Sequence, residues 1–433
     1  MSKFLIKCTW LPDKASSSEL DRTLCRLSLA VGDNVVTEYR SADRTTYEDL
    51  QLPSYFLAEW VAENWWPLLW EPRKNEDSED DIDFLDRHCI LAAQHGFVLP
   101  KVTIAPFGRN IKVYASPRFS QLADVRFTKG GQIILPRQKI ESELRKFVHD
   151  VVDHLDKGHI QSTVLQDTWS LIEETADNEV EFCRLMGALG VSPYIADPQL
   201  EKLLEMALAK FNSRLPMDLC LACTPDDFAS ASNIAQSAVA SSASLPTSTL
   251  APLSTIQLPP DSISLPAWRR GVNAARRLRD KIGIAELDPK GGDRLFDVLK
   301  LDPSIKVGTG SNQSTEGIKV VGVVERSAFD VKIALLQDHF TQRRFAAARA
   351  VFAAWSSESP EESRFLTPAV TRDQQASRAF AAEMMAPLGF IRSKMKGAKI
   401  QQDRVFEIAN ELNIGSDVVL KQALNNGLQV MPY

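Results

Sequence analysis

One segment of low apolar bulk most constrains how this chain of 433 residues can fold. Between Ala229 and Leu265, 24 of 37 residues are Ser, Ala, Pro or Thr, and Asp261 is the one charged residue. Such a segment buries little apolar surface, which is typical of a flexible linker. Its start favours a weak helix, whereas its closely spaced prolines favour extended chain. We therefore predict domains over 1–228 and 266–433, joined by a linker over 229–265.

The two predicted parts of the chain differ in net charge. Residues 266–433 carry 25 Lys and Arg against 19 Asp and Glu, whereas residues 1–265 carry 25 basic and 37 acidic residues. Opposite signs are compatible with docking of one part on the other, with a separate partner for each, or with ordinary scatter. The net charge of −6 excludes a protein that coats nucleic acid along its whole length.

Three features of the sequence bear on location. The chain has no apolar run of about 18 residues, which a membrane-spanning helix needs. The start, MSKFLIKCTW, lacks the apolar core and cleavage site of a signal peptide. The six cysteines are scattered, which is typical of a reducing compartment. We expect a cytoplasmic protein with no membrane span.

The hydrophobic spacing predicts an α+β fold. Short β-rich runs separated by turn residues occupy 1–137, and helical spacing dominates 138–228, so strands precede helices in the N-terminal domain. Residues 266–433 read as a mainly helical domain with short strands at 318–324 and 331–336. Its helical patterns lie at 266–283, 341–355, 374–385 and 404–425.

One predicted helix carries histidines and aspartates that are candidates for a metal site. His149 and Asp153 lie four residues apart and share a helix face, a spacing compatible with metal binding. His154 is rotated about 140° away from His149 by helix geometry. An exposed amphipathic helix explains the same residues, so the sequence leaves both interpretations open.

Four of the eight tryptophans lie between Trp60 and Trp70. Exposed indole rings there would suggest stacking of a ligand or nucleobase, whereas buried rings would belong to the core. The apolar positions follow helical spacing and their surroundings are acidic, which favours core. Trp65 and Trp66 are kept as candidate binding residues.

Four stretches of the C-terminal part occur in an order that resembles a known family. They are the basic helix Arg269–Gly283, the run Arg343-Arg344-Phe345-Ala346-Ala347-Ala348, the run Phe380-Ala381-Ala382-Glu383-Met384-Met385-Ala386-Pro387, and the closing helix pair from Ile408 to Leu428. Together they resemble the ImmA/IrrE family of zincin-like metallopeptidases. The resemblance implies a zincin-like fold for 266–433, and residues 1–228 resemble no family.

The sequence departs from that family where its chemistry lies. In the family the R-R-F-x-x-A run leads into H-E-x-x-H, whose histidines bind zinc and whose glutamate activates water. Here Arg349 and Ala350 stand in place of His-Glu, and Ala353 in place of the second His. Gln374 and Gln375 occupy the region of the third ligand, normally a glutamate. We therefore expect no zinc at this site and no other cofactor.

The arginine at the first ligand position offers two alternatives. Arg349 can bind the carboxylate or phosphate of a ligand, or it can pair with an internal acid such as Glu383. Arg344, five residues earlier on the same predicted helix, and Glu383 are further candidate binding residues.

The resemblance implies two classes of function. The family acts on helix-turn-helix repressors in bacterial stress, phage-immunity and mobile-element regulation. A member without catalytic residues is expected to be a pseudo-peptidase that binds a protein partner, such as a helix-turn-helix regulator or a defence effector, or senses a ligand. The alternative is an active metallo-endopeptidase with a divergent or relocated metal site that acts on such a repressor. Direct nucleic-acid binding is not expected, because the helix pair over 404–425 carries only Arg404 and Lys421 as basic residues.

Overall fold

The computed structural model describes residues 3–12, 18–74, 81–120, 124–212, 214–262, 265–307, 319–395 and 399–431. The chain forms two compact units, Met1–Leu204 and Glu205–Tyr433. The α+β class predicted from the sequence is confirmed, and strands precede helices in the first unit. Among the described residues, no helix is long and apolar enough to cross a membrane.

The strands of the first unit pair in antiparallel sheets. They are β1 (Lys3–Trp10), β2 (Leu24–Gly32), β3 (Asn34–Val35), β4 (Tyr39–Arg40), β5 (Thr46–Tyr47), β6 (Leu50–Pro53), β7 (Lys101–Phe107), β8 (Asn110–Ser116), β9 (Arg118–Ser120), β10 (Val125–Phe127) and β11 (Gly131–Pro136). The sheet orders are β1-β2-β3 with β6 also on β2, β5-β4-β10-β9, and β11-β8-β7. In β2, Cys25, Leu27 and Leu29 are buried at every second position, as the two-residue period of a strand requires.

The helices of the first unit cover these sheets. They are α1 (Glu19–Arg22), α2 (Tyr55–Glu63), α3 (Trp65–Trp70), α4 (Ile82–His88), α5 (Arg137–Lys157), α6 (Val164–Glu173), α7 (Val180–Leu189) and α8 (Pro198–Lys210), which crosses the unit boundary. Helix α3 packs closely on α7, where a Cβ on Gly187 would lie 2.5 Å from the Trp66 carbonyl oxygen. The absence of a side chain at Gly187 therefore allows the two backbones to meet.

The second unit combines one antiparallel sheet with many helices. It begins with α9 (Leu215–Cys220), α10 (Pro225–Ser242), β12 (Ser248–Thr249), α11 (Ala267–Lys281), α12 (Gly291–Leu299), β13 (Gly322–Ser327), β14 (Asp330–Leu335) and α13 (Phe340–Trp355). It continues with β15 (Glu361–Leu366), α14 (Arg372–Met385), α15 (Leu388–Ser393), β16 (Lys399–Gln401), α16 (Gln402–Leu412), α17 (Ser416–Asn425) and β17 (Gln429–Met431). The sheet order is β12-β14-β13-β15, and β16 pairs with β17 in parallel.

Helix α13 lies at the centre of this unit. It packs against β13, β14 and β15 on one side and against α14 on another. Its alanines, of which Ala347, Ala348 and Ala350 are fully buried, keep the helix narrow enough to be enclosed by both. Helix α14 in turn packs on α11, where Gly271 leaves room for the α14 backbone at Ala376.

The structure differs from the predicted linker over 229–265. Much of it is α10, which packs on β13 and β14 and buries Phe228, Ala231 and Ala235 at helical spacing. Beyond α10, Leu250 and Leu253 join the hydrophobic core of the second unit, while residues 263–264 lie outside the described chain. The small side chains of this segment allow its helix to approach the sheet closely. A segment of low apolar bulk therefore packs on the core instead of forming a flexible linker.

Candidate functional site

The candidate site forms where α13 meets the connection between β15 and α14. Arg349 lies in the middle of α13 and is 5% exposed. Thr367 follows β15 directly, and Thr371 caps α14 by accepting a hydrogen bond from the Gln374 backbone N–H at 3.4 Å. This cap fixes the first turn of α14, so that the Gln374 side chain faces α13.

The guanidinium of Arg349 joins these elements. Its Nη2 donates to the Thr367 carbonyl oxygen at 2.7 Å and to Gln374 Oε1 at 2.6 Å. Its Nε donates to Ser377 Oγ at 3.3 Å. Gln374 is itself held, because its Nε2 donates to the Phe365 carbonyl oxygen at 2.8 Å. One arginine therefore crosslinks the central helix to the end of β15 and the first turns of α14.

The electrostatics of this arginine are unusual. Within the described chain, no carboxylate oxygen lies within 4 Å of it, and all three acceptors are neutral oxygens. Burial lowers the pKa of Arg349 to about 9, and the nearby cation of Arg378 acts in the same direction. The side chain is still charged at neutral pH. A buried cation without an anion is costly unless its N–H groups are satisfied, and here neutral oxygens serve.

The structure brings together some of the positions singled out by the sequence. Arg349 and Gln374 are bonded directly, although 25 residues separate them. Ala350 is fully buried and Ala353 partly buried on the same helix, and an alanine side chain can neither bind a metal nor move a proton. Gln375 is half-buried and is the next residue of α14.

The other candidate binding residues of this region have internal partners. Glu383 accepts from Arg276 Nε at 2.8 Å and from Gln422 Nε2 at 2.8 Å, so the suggested pair of Glu383 with Arg349 is not formed. Arg344 is buried and bonded to Asp293. Both side chains therefore stabilise packing between helices.

The histidine cluster of the first unit is not assembled into a metal site. His149 Nε2 lies 3.4 Å from Glu173 Oε2, and its ring meets the Trp169 ring edge-on at 5.4 Å. The His154 ring stacks on Trp10 at 4.0 Å, and Asp153 is exposed. Over the part of the chain that the structure describes, no three His, Cys, Asp or Glu side chains are placed to hold a metal ion.

Trp65 and Trp66 are buried, with 1% and 7% of their surface exposed. Both rings nevertheless line a cavity of about 320 Å³ in the first unit, together with Leu69 and Trp70. Their burial places both rings in the core, and ligand stacking stays a prediction.

Sequence reasoning missed the remaining partners of Arg349. Thr367 contributes a backbone carbonyl oxygen, which any residue would offer, so no residue type marks it. Ser377 lies three residues after Gln374, on the same face of α14, and that spacing was the one available signal.

No family model, curated protein or solved structure matches this chain. The site is therefore defined by its own geometry. It consists of a buried cation held by neutral oxygens, beside alanines that carry no reactive group.

Proposed function

We propose that the C-terminal part of this protein, residues 266–433, is a zincin-like pseudo-peptidase domain related to the ImmA/IrrE family, and that the protein is a non-catalytic interaction protein of bacterial regulation. The observation that supports this proposal is the bond between Arg349 and Gln374. The resemblance assigns Arg349 to the first zinc ligand and Gln374 to the region of the third. Residues at two ligand positions of one metal site must face each other, and these two do.

The chemistry of the pair explains how such a fold would persist without metal. Zinc joins the ligands on one helix to a ligand on another. The Arg349 guanidinium is also a cation, and it joins α13 to Thr367 and Gln374 through directed hydrogen bonds. Peptide hydrolysis is not expected, because Ala350 cannot activate water and the arginine cannot act as a Lewis acid.

Without peptide hydrolysis, we expect the domain to act by binding a protein partner. Helix α11 presents an exposed basic face, and its Trp268 side chain is 47% exposed with the Arg269 guanidinium 5.4 Å from the ring centre. Tryptophan and arginine are the residues most enriched at the energetic centres of protein interfaces. We propose α11 as part of the surface that contacts the partner, which by the resemblance is a helix-turn-helix regulator or a defence effector.

The metal content of purified protein tests the pseudo-peptidase proposal. We expect less than about 0.1 equivalent of zinc after expression in zinc-supplemented medium. The restored variant Arg349→His/Ala350→Glu/Ala353→His/Gln374→Glu is expected to bind about one equivalent. Its matched control lacks the Ala353→His change and is expected to bind far less.

Two outcomes would contradict the proposal. Stoichiometric zinc in the natural protein, lost on changing His149 and Asp153, would favour the relocated metallopeptidase. A folded restored variant that binds no more zinc than its control would show that α13 and α14 do not have zincin geometry.

Titration with a purified helix-turn-helix regulator encoded beside the gene tests the partner. We expect binding with a Kd of about 1 μM or tighter, weakened about tenfold by Trp268→Ala. The control Phe406→Ala removes another exposed aromatic side chain, 44% exposed on α16, and is expected to leave the affinity unchanged.

A further inference from the structure

The first unit contains a cavity that none of the preceding functions uses. It lies among α3, α5, α6 and α7, has a volume of about 320 Å³, and opens to solvent. This volume is at the lower end of the range for small-molecule sites, about 300–1,000 Å³. Its apolar wall is formed by indole rings and aliphatic side chains, namely those of Trp65, Trp66, Leu69, Trp70, Ile172 and Val180.

The polar wall of the cavity carries both signs of charge. Two guanidinium groups and three carboxylates line it, from Arg145, Arg184, Glu141, Glu173 and Asp177. A purely apolar ligand would leave these groups desolvated, and a simple anion would face an excess of carboxylates. The lining therefore favours a ligand that carries both a positive and a negative group.

Some of these charged side chains already form ion pairs within the protein, whereas others can bind a ligand. Arg145 is bonded to Glu173, and its guanidinium carbon lies 5.1 Å from the centre of the Trp65 ring. These two charges neutralise each other, and the arginine covers that ring. Glu141 is a weaker partner of the same arginine, at 3.7 Å.

Arg184 and Asp177 are the available charges. Arg184 lies 5.2 Å from the Trp70 ring centre, which restrains its planar group, and its only ion pair within the described residues is a partly exposed one with Glu181 at 3.7 Å. Such an exposed pair contributes little, so it yields easily to a ligand. Asp177 is exposed, and no described residue forms a hydrogen bond or ion pair with it.

We propose that this cavity binds a small zwitterion of the class of free amino acids with an apolar or aromatic side chain. Arg184 takes the ligand carboxylate in a two-pronged contact, which its planar fork of donors suits. Asp177 takes the ammonium group. The ligand side chain lies against Trp66, Ile172 and Val180, where apolar contact adds to the affinity.

Calorimetric titration of the full chain tests this proposal. The probes are L-phenylalanine, L-leucine and L-tryptophan, with phenethylamine lacking the carboxylate and 3-phenylpropionate lacking the amine. We expect at least one amino acid to bind one-to-one with a Kd below about 1 mM. Both analogues of phenylalanine are expected to bind at least about tenfold more weakly than phenylalanine, because each loses one charged hydrogen-bonding group.

Variants locate the binding. Asp177→Asn and Arg184→Gln are each expected to weaken the amino acid about tenfold. Both side chains are solvent-accessible, so the melting temperature serves to show that the fold is kept. The matched control Glu179→Gln removes an exposed carboxylate two residues from Asp177 and outside the lining, and it is expected to change the Kd by less than about twofold.

Three results would overturn the proposal. They are the absence of binding by every amino acid up to about 10 mM, equal binding by phenylalanine and either analogue, and unchanged affinity in both folded cavity variants.

Discussion

The two units of this protein differ in the charged side chains that they bury. In the described part of the first unit, the buried Asp, Glu, His, Lys and Arg side chains are Glu71 and His88. In the described part of the second unit they are five arginines and three carboxylates, namely Arg279, Arg344, Arg349, Arg364 and Arg372 with Asp218, Glu362 and Glu383. The difference shows how each kind of charge can be kept in a core.

The buried carboxylate of Glu71 is surrounded by hydrogen-bonding side chains. Arg87 donates to both oxygens of Glu71 at 2.7 Å, and His88 Nε2 lies 3.1 Å from Oε2. Burial alone would raise the pKa of Glu71, but the hydrogen bonds from Arg87 and His88 lower it to about 2. This carboxylate is stable in the core because Arg87 and His88 form hydrogen bonds with its oxygens.

Two of the five buried arginines form no ion pair within the described residues. Arg279 donates to the carbonyl oxygens of Met384 at 3.0 Å and Ala285 at 2.6 Å, and Arg349 also uses neutral oxygens. A guanidinium has five donors, and every peptide bond supplies an acceptor, so the backbone can satisfy it. The other three pair with a carboxylate, Arg344 with Asp293, Arg372 with Asp261, and Arg364 with both oxygens of Asp218 at 2.8 and 3.1 Å.

The largest effect is expected at the two-pronged charge pair of the second unit. Asp218→Asn replaces this partner of the buried Arg364 with a neutral one and leaves only the longer contacts with Asp373 at 3.4 Å and Glu362 at 4.0 Å, and we expect it to lower the free energy of unfolding by about 3–5 kcal/mol. Urea denaturation followed by circular dichroism measures the loss. The double variant Asp218→Leu/Arg364→Met, which removes both charges, should recover most of it. A loss below about 1 kcal/mol in the single variant would contradict this account.

Removal of the Glu71 carboxylate tests how much its hydrogen bonds with Arg87 and His88 stabilise the first unit. Glu71→Gln leaves Arg87 and His88 without their anion, and we expect a loss of about 3 kcal/mol at pH 7. The same denaturation experiment measures it. Arg145→Gln, which breaks the more exposed pair with Glu173, is the control and is expected to lose less than about 1 kcal/mol.

Acid titration sharpens the comparison. The pKa of Glu71 in the folded chain is about 2, below the ordinary 4.5, so its stabilising effect is complete above pH 4.5 and is lost as the pH falls towards 2. The stability difference between the natural protein and Glu71→Gln should therefore shrink across that range. A difference that is the same at pH 6 and pH 2.5 would show that packing, rather than charge, is lost in the variant.

Substitution of Arg349 should lower the free energy of unfolding less than substitution of Asp218 does. Arg349→Met leaves the neutral oxygens of Thr367 and Ser377 without this donor, whereas Gln374 Oε1 still accepts from the Thr367 backbone N–H, so we expect a loss of about 1–2 kcal/mol. The companion Arg349→Lys keeps N–H donors at this position and should be closer to the natural protein. A loss as large as that for Asp218→Asn would reveal an anionic partner that the geometry does not contain.

The smallest effect is expected for Arg214, a partly exposed arginine that contacts the same two carboxylates as Arg364. Arg214 reaches Glu362 at 3.8 Å and Asp373 at 3.6 Å, and its side chain is 38% exposed. Arg214→Ala should lower the free energy of unfolding by no more than about 0.5 kcal/mol, because solvent screens such pairs. A loss above about 2 kcal/mol would mean that solvent does not screen this pair.

Local pattern predicted much of this fold. Helical spacing at 266–283, 341–355 and 374–385 corresponds to α11, α13 and α14, so the local pattern located these three helices. Helix α10 was predicted only as a weak helix within a linker. The residues before it nevertheless mark the start of a helix, because Thr224 and Asp227 form a capping box and Pro225 occupies the first helical position. Amino-acid composition alone does not show this pattern.

The candidate site was predicted in part. The family pattern singled out Arg349 and Gln374, and the structure joins them, but the suggested partner Glu383 was wrong because α11 and α17 supply Arg276 and Gln422 instead. Residue patterns show which face of a helix is apolar. They do not show which of two charged neighbours lies closer once three helices have packed, and this distance decides the pairing.

The crowding of tryptophan around the cavity has a practical consequence for measurement. Six of the eight tryptophans belong to the first unit, and Trp268 and Trp355 alone belong to the second. Intrinsic fluorescence therefore reports mainly on the first unit, whereas circular dichroism reports on both. Unfolding curves recorded by the two methods will separate if the units unfold independently and coincide if they unfold together. The tryptophans that line the proposed binding site therefore also serve as an intrinsic fluorescence probe for the first unit.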